Sequence, residues 1–284
     1  MIIAVAAKNL HKTDTNRYTS PQARVFFILM LFDSHCHLNH SPLTENLTQV
    51  LQQAADKHIG HFLVPATSPA DWLTTIELQE AYSCIYAAIG IHPWYINSHN
   101  DSALNQLESL LHTHPDIMMG EIGLDFARIN NTADKNLQIN CFEAQLRMAK
   151  SLQRPVIIHN VHATDACIHS IKRCQFTFGG IAHAFSGSME EAQAWIKHGF
   201  FIGVGSLLLR TQAKKIRHIA EKLPLQHIVI ETDAPYMSPL PHQNNTPDNL
   251  RQIAEIIAGL RNSHWKDIAS ITSKNTFHVI SQKT

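Results

Sequence analysis

Eight times along the chain, a short apolar run rich in β-branched residues gives way to a longer amphipathic stretch. The runs are Val25–Phe32, His61–Val64, Ile85–Ile89, Ile117–Gly120, Pro155–Ile158, Gly180–Ala182, Phe200–Val204 and His227–Ile230. Between them apolar residues recur at steps of three and four. One set is Leu47, Val50, Leu51, Ala54 and Ala55; another runs from Leu137 through Phe142, Leu146 and Ala149. Further helical patterns cover Glu190–Trp195 and Ile216–Leu223. Strand then helix, repeated, predicts a parallel sheet with crossover helices. Eight units in about 230 residues favour an α/β fold of the (β/α)8 TIM-type barrel over an open doubly wound sheet. Helices over Asn249–Leu260 and Trp265–Ser281 complete it, and no Gly-, Ser- or Pro-rich linker divides residues 25–284, so a single domain is expected.

Of the 284 residues, 44% are hydrophobic and 16% charged, enough apolar material for a core and too little charge for a disordered chain. Lys plus Arg and Asp plus Glu are 23 each. That balance argues against a general nucleic-acid coat protein or a polybasic membrane binder. Five cysteines at wide spacings, with no C-x-x-C, predict a reducing, cytoplasmic setting. No apolar run approaches the ~18 residues of a membrane span. Val25–Phe32 is followed by Asp33-Ser-His-Cys-His37, which is no signal-cleavage site. Residues 1–24 lack a period and read as a disordered extension, with Met30 as an alternative start and a targeting peptide as the remaining reading. Removal of 1–29 is expected to leave a folded protein, and no obligate protein partner is evident.

In a barrel the active site lies where strands end. His35 and His37 follow the first run, His92 the third, Glu121 the fourth, His159 the fifth, His183 the sixth and Asp233 the eighth. Residues i and i+2 of an extended segment point the same way, so His35 and His37 can grip one ion. A bare H-x-H is weak in a chain with 20 histidines. Six ligand-type residues at five strand ends, His92 aside, are specific, because packing does not require imidazole or carboxylate there and burying them unpaired is costly. His11, His58, His61, His112, His114, His169, His218, His264 and His278 fall elsewhere and are expected to be solvated. His40 and His162 lie near the rim as outer groups. Cys36 should face the opposite way, as a small core residue. Asp33 either hydrogen-bonds an imidazole or makes a strand-end turn; Asp125 and Arg128 either pair or touch substrate. Ser186 reads as a hydrogen-bonding rim residue. Walker, G-x-G-x-x-G and G-x-S-x-G motifs are absent.

At these residues the chain resembles the TatD family of metal-dependent deoxyribonucleases, within the amidohydrolase-like metal barrels. The motifs are Asp-Ser-His-Cys-His-Leu at 33–38, Gly-Ile-His-Pro at 90–93, Gly-Glu-Ile-Gly-Leu-Asp at 120–125 and Pro-Val-Ile-Ile-His at 155–159. His-Ala-Phe-Ser-Gly at 183–187, Glu-Thr-Asp-Ala-Pro at 231–235 and Asn-Thr-Phe at 275–277 follow. Val-Pro-Ala-Thr at 64–67 and the style of Ile85–Pro93 look most like an uncharacterised hydrolase branch. The resemblance implies a (β/α)8 barrel with one or two divalent ions. His35, His37 and Asp233 would hold the first, and Glu121 would bridge to a second held by His159 and His183. It also implies hydrolysis of phosphodiester bonds, often from the 3′ end of DNA. Two departures stand out. Val161 occupies a position usually held by Arg, and His242-Gln-Asn-Asn-Thr-Pro247 contains no Arg or Lys. By the resemblance both positions would contact substrate and not metal, so weaker phosphate binding is expected with the ligand set intact.

An imidazole–carboxylate set with open positions suits catalytic Zn or Mn, with Mg and Co as further candidates. A bound ion would lower the pKa of a water, with Asp233 as the base and Glu121 setting the spacing. The expected substrate is a DNA or RNA end, with His92 a rim contact to phosphate. The alternatives are hydrolysis of a carboxyl ester or amide at the same site, and a metal-binding barrel without turnover.

Overall fold

The computed structural model describes residues 30–97, 100–129 and 131–282. Eight parallel strands follow one another around a barrel: β1 (Leu31–Asp33), β2 (Ile59–Pro65), β3 (Ile85–Ile89), β4 (Met118–Asp125), β5 (Val156–Val161), β6 (Gly180–Ala182), β7 (Phe200–Val204) and β8 (Ile228–Ile230). Sequential order is what separates this barrel from a doubly wound sheet, whose order reverses. The crossover helices are α1 (Leu47–Asp56), α2 (Trp72–Ala81), α3 (Asn100–Thr113), α4 (Thr132–Ser151), α5 (Thr164–Arg173), α6 (Met189–Lys197) and α7 (Lys214–Lys222). After β8 come α8 (Asn249–Leu260) and α9 (Trp265–Ile280).

The seam between β8 and β1 is closed by Ser34 and Asp33. Ser34 N–H donates to the Ile230 carbonyl at 3.0 Å. Asp33 then accepts the Thr232 backbone N–H at 2.9 Å and its hydroxyl at 2.6 Å. The Asp33 carboxylate therefore ties the two ends of the sheet together and does not orient an imidazole ring. Burial pushes its pKa well above the usual carboxylate range.

The main core lies between sheet and helices. A second, inner cluster fills the amino-terminal end of the barrel with Phe32, Leu63, Met118, Ile157, Ile181 and Val229. Helix α9 plugs that end, with Phe277 meeting Phe32 at 5.0 Å between ring centroids. Asn275 fixes α9 by donating to the carbonyls of Leu225 and Ile228. The Asn-Thr-Phe motif is thus structural and far from the site.

Several sequence expectations need correction. His61, expected in solvent, is buried beside Phe277 at 5.0 Å. The cause is that β2 starts at Ile59, so His61 shares the inward face with Leu63. Burial drives its pKa down to about 3, which keeps the ring neutral. Strands β4 and β5 extend past their apolar runs, so Glu121, Asp125 and His159 stand inside strands and not after them. Of the first run, residues 25–29 lie outside the described residues, as does the 1–24 extension; β1 itself ends at Asp33. All five cysteines are free thiols. Among the described residues no helix is long and apolar enough to cross a membrane.

Candidate active site

The seven residues singled out in the sequence converge at the carboxyl end of the barrel. His35 and His37 follow β1, and their Nε2 atoms stand 3.2 Å apart. Asp233 follows β8 with its Oδ1 3.5 Å from His35 Nε2 and 3.3 Å from His37 Nε2. Its backbone is in the left-handed region at φ 60°, held by a 2.8 Å bond from its N–H to the His35 carbonyl. A non-glycine residue in that conformation carries strain, which the surrounding site must maintain.

Glu121 lies between two groups of imidazoles. Its Oε2 is 3.4 Å from His35 Nε2 and 3.9 Å from His37 Nε2. Its Oε1 is 2.9 Å from His159 Nδ1 and 2.7 Å from His183 Nε2. Each carboxylate oxygen therefore faces a different pair of histidines. Gly123 allows this alignment: a Cβ there would meet the His159 carbonyl oxygen at 2.0 Å, so only glycine lets β4 approach β5 so closely.

The rings are oriented by groups behind them. His37 Nδ1 lies 3.2 Å from the Pro65 carbonyl, to which it donates, leaving Nε2 bare toward the site. His159 Nε2 lies 3.4 Å from Asp125 Oδ2, so its Nδ1 faces Glu121 and the site. Asp125 also accepts the Trp94 indole N–H at 2.6 Å, and Arg128 lies over that indole at 3.8 Å from its centroid. The expected choice between an Asp125–Arg128 pair and a substrate contact is therefore replaced by a third arrangement: Asp125 positions His159 and Trp94. Cys36 is fully buried against the Ala234 carbonyl and takes no part in the cluster.

His92 differs from the other histidines. Its Nδ1 accepts the Trp94 backbone N–H at 3.1 Å. Burial pushes its pKa down to about 3, so the ring is neutral and its proton sits on Nε2, 3.5 Å from Glu121 Oε1. His92, Glu121 and His159 are close enough to hold an ion together. An Nε2 that carries the proton is a donor and not a ligand, and His92 is best read as a hydrogen-bond donor beside the cluster.

Charge in the cluster is set by mutual contact. Burial alone would raise the Glu121 pKa, but His183, His92, His35 and His159 hold it well below the usual range. Burial likewise opposes the Asp233 charge, and His37 and His35 keep its pKa below the ordinary value. Burial disfavours charge on His183, yet Glu121, Glu231 and Asp233 lift it to about 9. Burial and the neighbouring His183 bring His35 down to about 4.

The side chains fit divalent ions. Nε2 of His35, His37 and His183, Nδ1 of His159 and the Glu121 and Asp233 oxygens form a donor set that matches catalytic Zn or Mn sites, while the opposite nitrogens His35 Nδ1 and His183 Nδ1 are buried without a hydrogen-bond partner. Compact groups of His35, His37 and Glu121 and of His35, His183 and Glu231 are each within ligand reach. Glu231 was not foreseen. It is fully buried, accepts the Ala184 N–H and lies 3.8 Å from His183 Nδ1, and burial raises its pKa to about 7. Its place two residues before Asp233 in Glu-Thr-Asp was the available signal.

The outer shell is also organised. His40 Nε2 is 2.9 Å from Asp71 Oδ2, and its Nδ1 is 2.9 Å from the Tyr236 hydroxyl. Asn245, in the segment expected to contact substrate, is buried and donates to the Thr232 carbonyl at 2.7 Å. It positions the loop after β8. A cleft of about 720 Å3 opens beside His183, lined by Asn160, His162, Ser186, Lys135 and Lys215, with Asp165 and Glu191 also on its walls.

Comparison with known proteins agrees with this geometry. The family model described as TatD related DNase matches residues 32–281. Over 254 residues the chain is 32% identical to the uncharacterized metal-dependent hydrolase YjjV of Escherichia coli K12, covering 88% of this chain and 97% of that one. Over 249 residues it is 32% identical to the uncharacterized metal-dependent hydrolase YabD of Bacillus subtilis 168, covering 87% and 97%. The crystal structure of YjjV, a TatD homologue, matches with a TM-score of 0.83 over 89% of this chain and 98% of that one. A TatD family hydrolase from Entamoeba histolytica, 20% identical, shares the fold with a TM-score of 0.80 over 89% and 99%. A sequential eight-stranded barrel, a His–Glu–Asp cluster at its carboxyl end and a family match across nearly the whole described chain place this protein in the TatD family of metal-dependent hydrolases.

Proposed function

We propose that this hydrolase cleaves phosphodiester bonds at DNA or RNA ends. The observation that carries the reading is Glu121, whose two oxygens face His35 and His37 on one side and His159 and His183 on the other. Such an arrangement suits two ions, and a pair of ions suits the attacking and leaving oxygens of an in-line displacement at phosphorus. His35, His37 and Asp233 would hold one ion, His159 and His183 the other, with Glu121 between them. Zn, Mn, Mg or Co bound there supplies a Lewis acid and lowers the pKa of a nearby water.

The protein's own groups do the remainder. Asp233, kept ionised by His37 and His35, takes the proton of the attacking water. Glu121 keeps the two histidine groups at a fixed separation. His92 donates from Nε2 toward a substrate oxygen beside Glu121. Asp125 holds His159 in the tautomer that leaves Nδ1 free for the site. Five free thiols support a cytoplasmic setting.

A second reading, hydrolysis of a carboxyl ester or amide, is favoured by the cleft beside His183. There Lys135 and Lys215 are offset by Asp165 and Glu191, so the cleft has little net charge to attract a polyanion. A panel of phosphodiester, phosphomonoester, ester and amide substrates, each with added Mn, Co, Zn or Mg, separates the two. Cleavage of an oligonucleotide end above all other substrates is expected. Robust ester or amide turnover with no phosphodiester cleavage under any ion would replace the first reading with the second.

A further inference from the structure

Four histidines turn a ring nitrogen toward the site, and two of them have a support for the other nitrogen. His37 Nδ1 is held by the Pro65 carbonyl and His159 Nε2 by Asp125. His35 and His183 present Nε2 to Glu121 at 3.4 and 2.7 Å, and their Nδ1 atoms are buried with no hydrogen-bond partner. A neutral imidazole that gives one nitrogen to an ion carries its proton on the other. Leaving two such N–H groups buried without an acceptor is costly.

The two rings stack, with centroids 3.8 Å apart and planes 10° from parallel. Both Nε2 atoms face Glu121, so both Nδ1 atoms are set back from it. Behind the rings lies Glu231, fully buried and unused in the reaction above. One ring nitrogen of each histidine and a Glu231 oxygen lie within 4.8 Å of one another, and His183 Nδ1 is 3.8 Å from Oε1. A small turn of a ring or a single buried water spans such gaps. The carboxylate itself is firmly seated. Oε1 accepts the Ala184 N–H and Oε2 the Ser34 hydroxyl at 3.4 Å, so its donors come from the residue after His183 and the residue before His35. That bond holds Ala184 in the left-handed region at φ 48°. A Cβ at Gly203 on β7 would meet Oε2 at 2.5 Å, so glycine makes the room for the carboxylate. Each oxygen keeps a lone pair for a further donor.

We infer that Glu231 is one positioning carboxylate shared by His35 and His183, taking the Nδ1 protons of both stacked rings and so fixing both Nε2 atoms as ligands. The inference rests on the two-ion arrangement proposed above, in which His35 serves one ion and His183 the other. Glu121 then faces the two rings from the front and Glu231 from behind, and the outer support of both ion positions passes through a single residue. Outer carboxylates of this kind orient a ring and raise its basicity toward the metal.

The test uses the full chain, stripped with a chelator and reloaded with Co, and proton NMR. Bound Co shifts the rings that hold it, so the remaining histidines of the 20 stay out of the shifted region. Four exchangeable ring N–H signals are expected there, from His35, His37, His159 and His183. Glu231→Gln keeps the shape and removes the charge. It should move two of the four signals, those of His35 and His183, and speed their exchange with water. The signals of His37 and His159, supported by Pro65 and Asp125, should stay; Asp125→Asn, which moves the His159 signal, assigns it. A general loosening of the site would move all four. Calorimetric titration with Co should show affinity lowered about 10- to 100-fold at both positions. If Glu231→Gln does not fold, Glu231→Asp withdraws the carboxylate by one methylene and should move the same two signals. Movement of none, one or all four signals, or weaker binding at one position only, would overturn the shared role and leave the ion arrangement in place. No Co-shifted ring signal from the unmodified chain would overturn both.

Discussion

Five imidazoles, those of His35, His37, His92, His159 and His183, surround the Glu121 carboxylate, and Asp233 shares the first two. In a buried setting a carboxylate without such neighbours would take up a proton and lose its use as a ligand. The pairing keeps both acids ionised, and Asp233 is the one placed to accept a proton. Asp233→Asn keeps the shape but removes the base and one charge. Steady-state kinetics should show turnover reduced about 10²- to 10⁴-fold, with a thermal midpoint close to that of the parent chain. A near-normal rate would assign the proton to another group. The residues of this cluster were legible because each follows or ends an apolar run, where packing has no use for imidazole or carboxylate. His61 misled because a histidine at the start of an apolar run resembles a solvated one, and only the strand's true start places it inside the barrel. Asp125 misled because its partners, Trp94 and His159, come from neighbouring strand ends that the linear sequence does not bring together.

At the scale of elements, helices α4 and α5 are joined by a buried carboxylate. Glu143 on α4 accepts from the Ser170 hydroxyl at 3.0 Å and from the Arg173 guanidinium of α5. Burial works against its charge, yet Arg173 and Ser170 hold its pKa below the ordinary value. A depressed folded pKa means that the unfolded chain binds the proton more readily. The pair therefore contributes stability that is complete above the unfolded value of about 4.3 and is lost as pH falls through the lower folded value. Urea unfolding should show Glu143→Gln less stable than the parent at pH 7, with the two midpoints converging in acid. A difference independent of pH would show that the contact acts through packing alone. The helices read most easily from sequence were those with an apolar stripe, such as α4 and α7. Helix α2 was not located because its inward face carries Thr75 and Gln79 among Trp72 and Ile76. Those polar groups are satisfied inside, Gln79 by the Ala87 N–H and Thr75 by the Asp71 carbonyl. Helix α3 buries only Leu107 and Leu111, too few to set a period.

Over the whole molecule, zero net charge at pH 7 and a cleft with balanced lysines and carboxylates leave little long-range attraction for a polyanion. Oligonucleotide affinity, measured across a salt series, should therefore fall with a shallow slope, because the slope tracks the number of phosphates neutralised. A steep slope would point to a basic track outside the cleft. The barrel itself was legible from the eightfold alternation, while its closure by Asp33 and Thr232 was not, since those residues lie 199 positions apart. The central claim is that a His–Glu–Asp cluster holds ions that the hydrolysis requires. Its most direct test is to strip the protein with a chelator, confirm the loss by metal analysis, and follow cleavage of a single-stranded oligonucleotide as Mn, Co, Zn or Mg is returned. Activity should vanish with the metal and recover as ions rebind. Full cleavage by the metal-free protein would contradict the account.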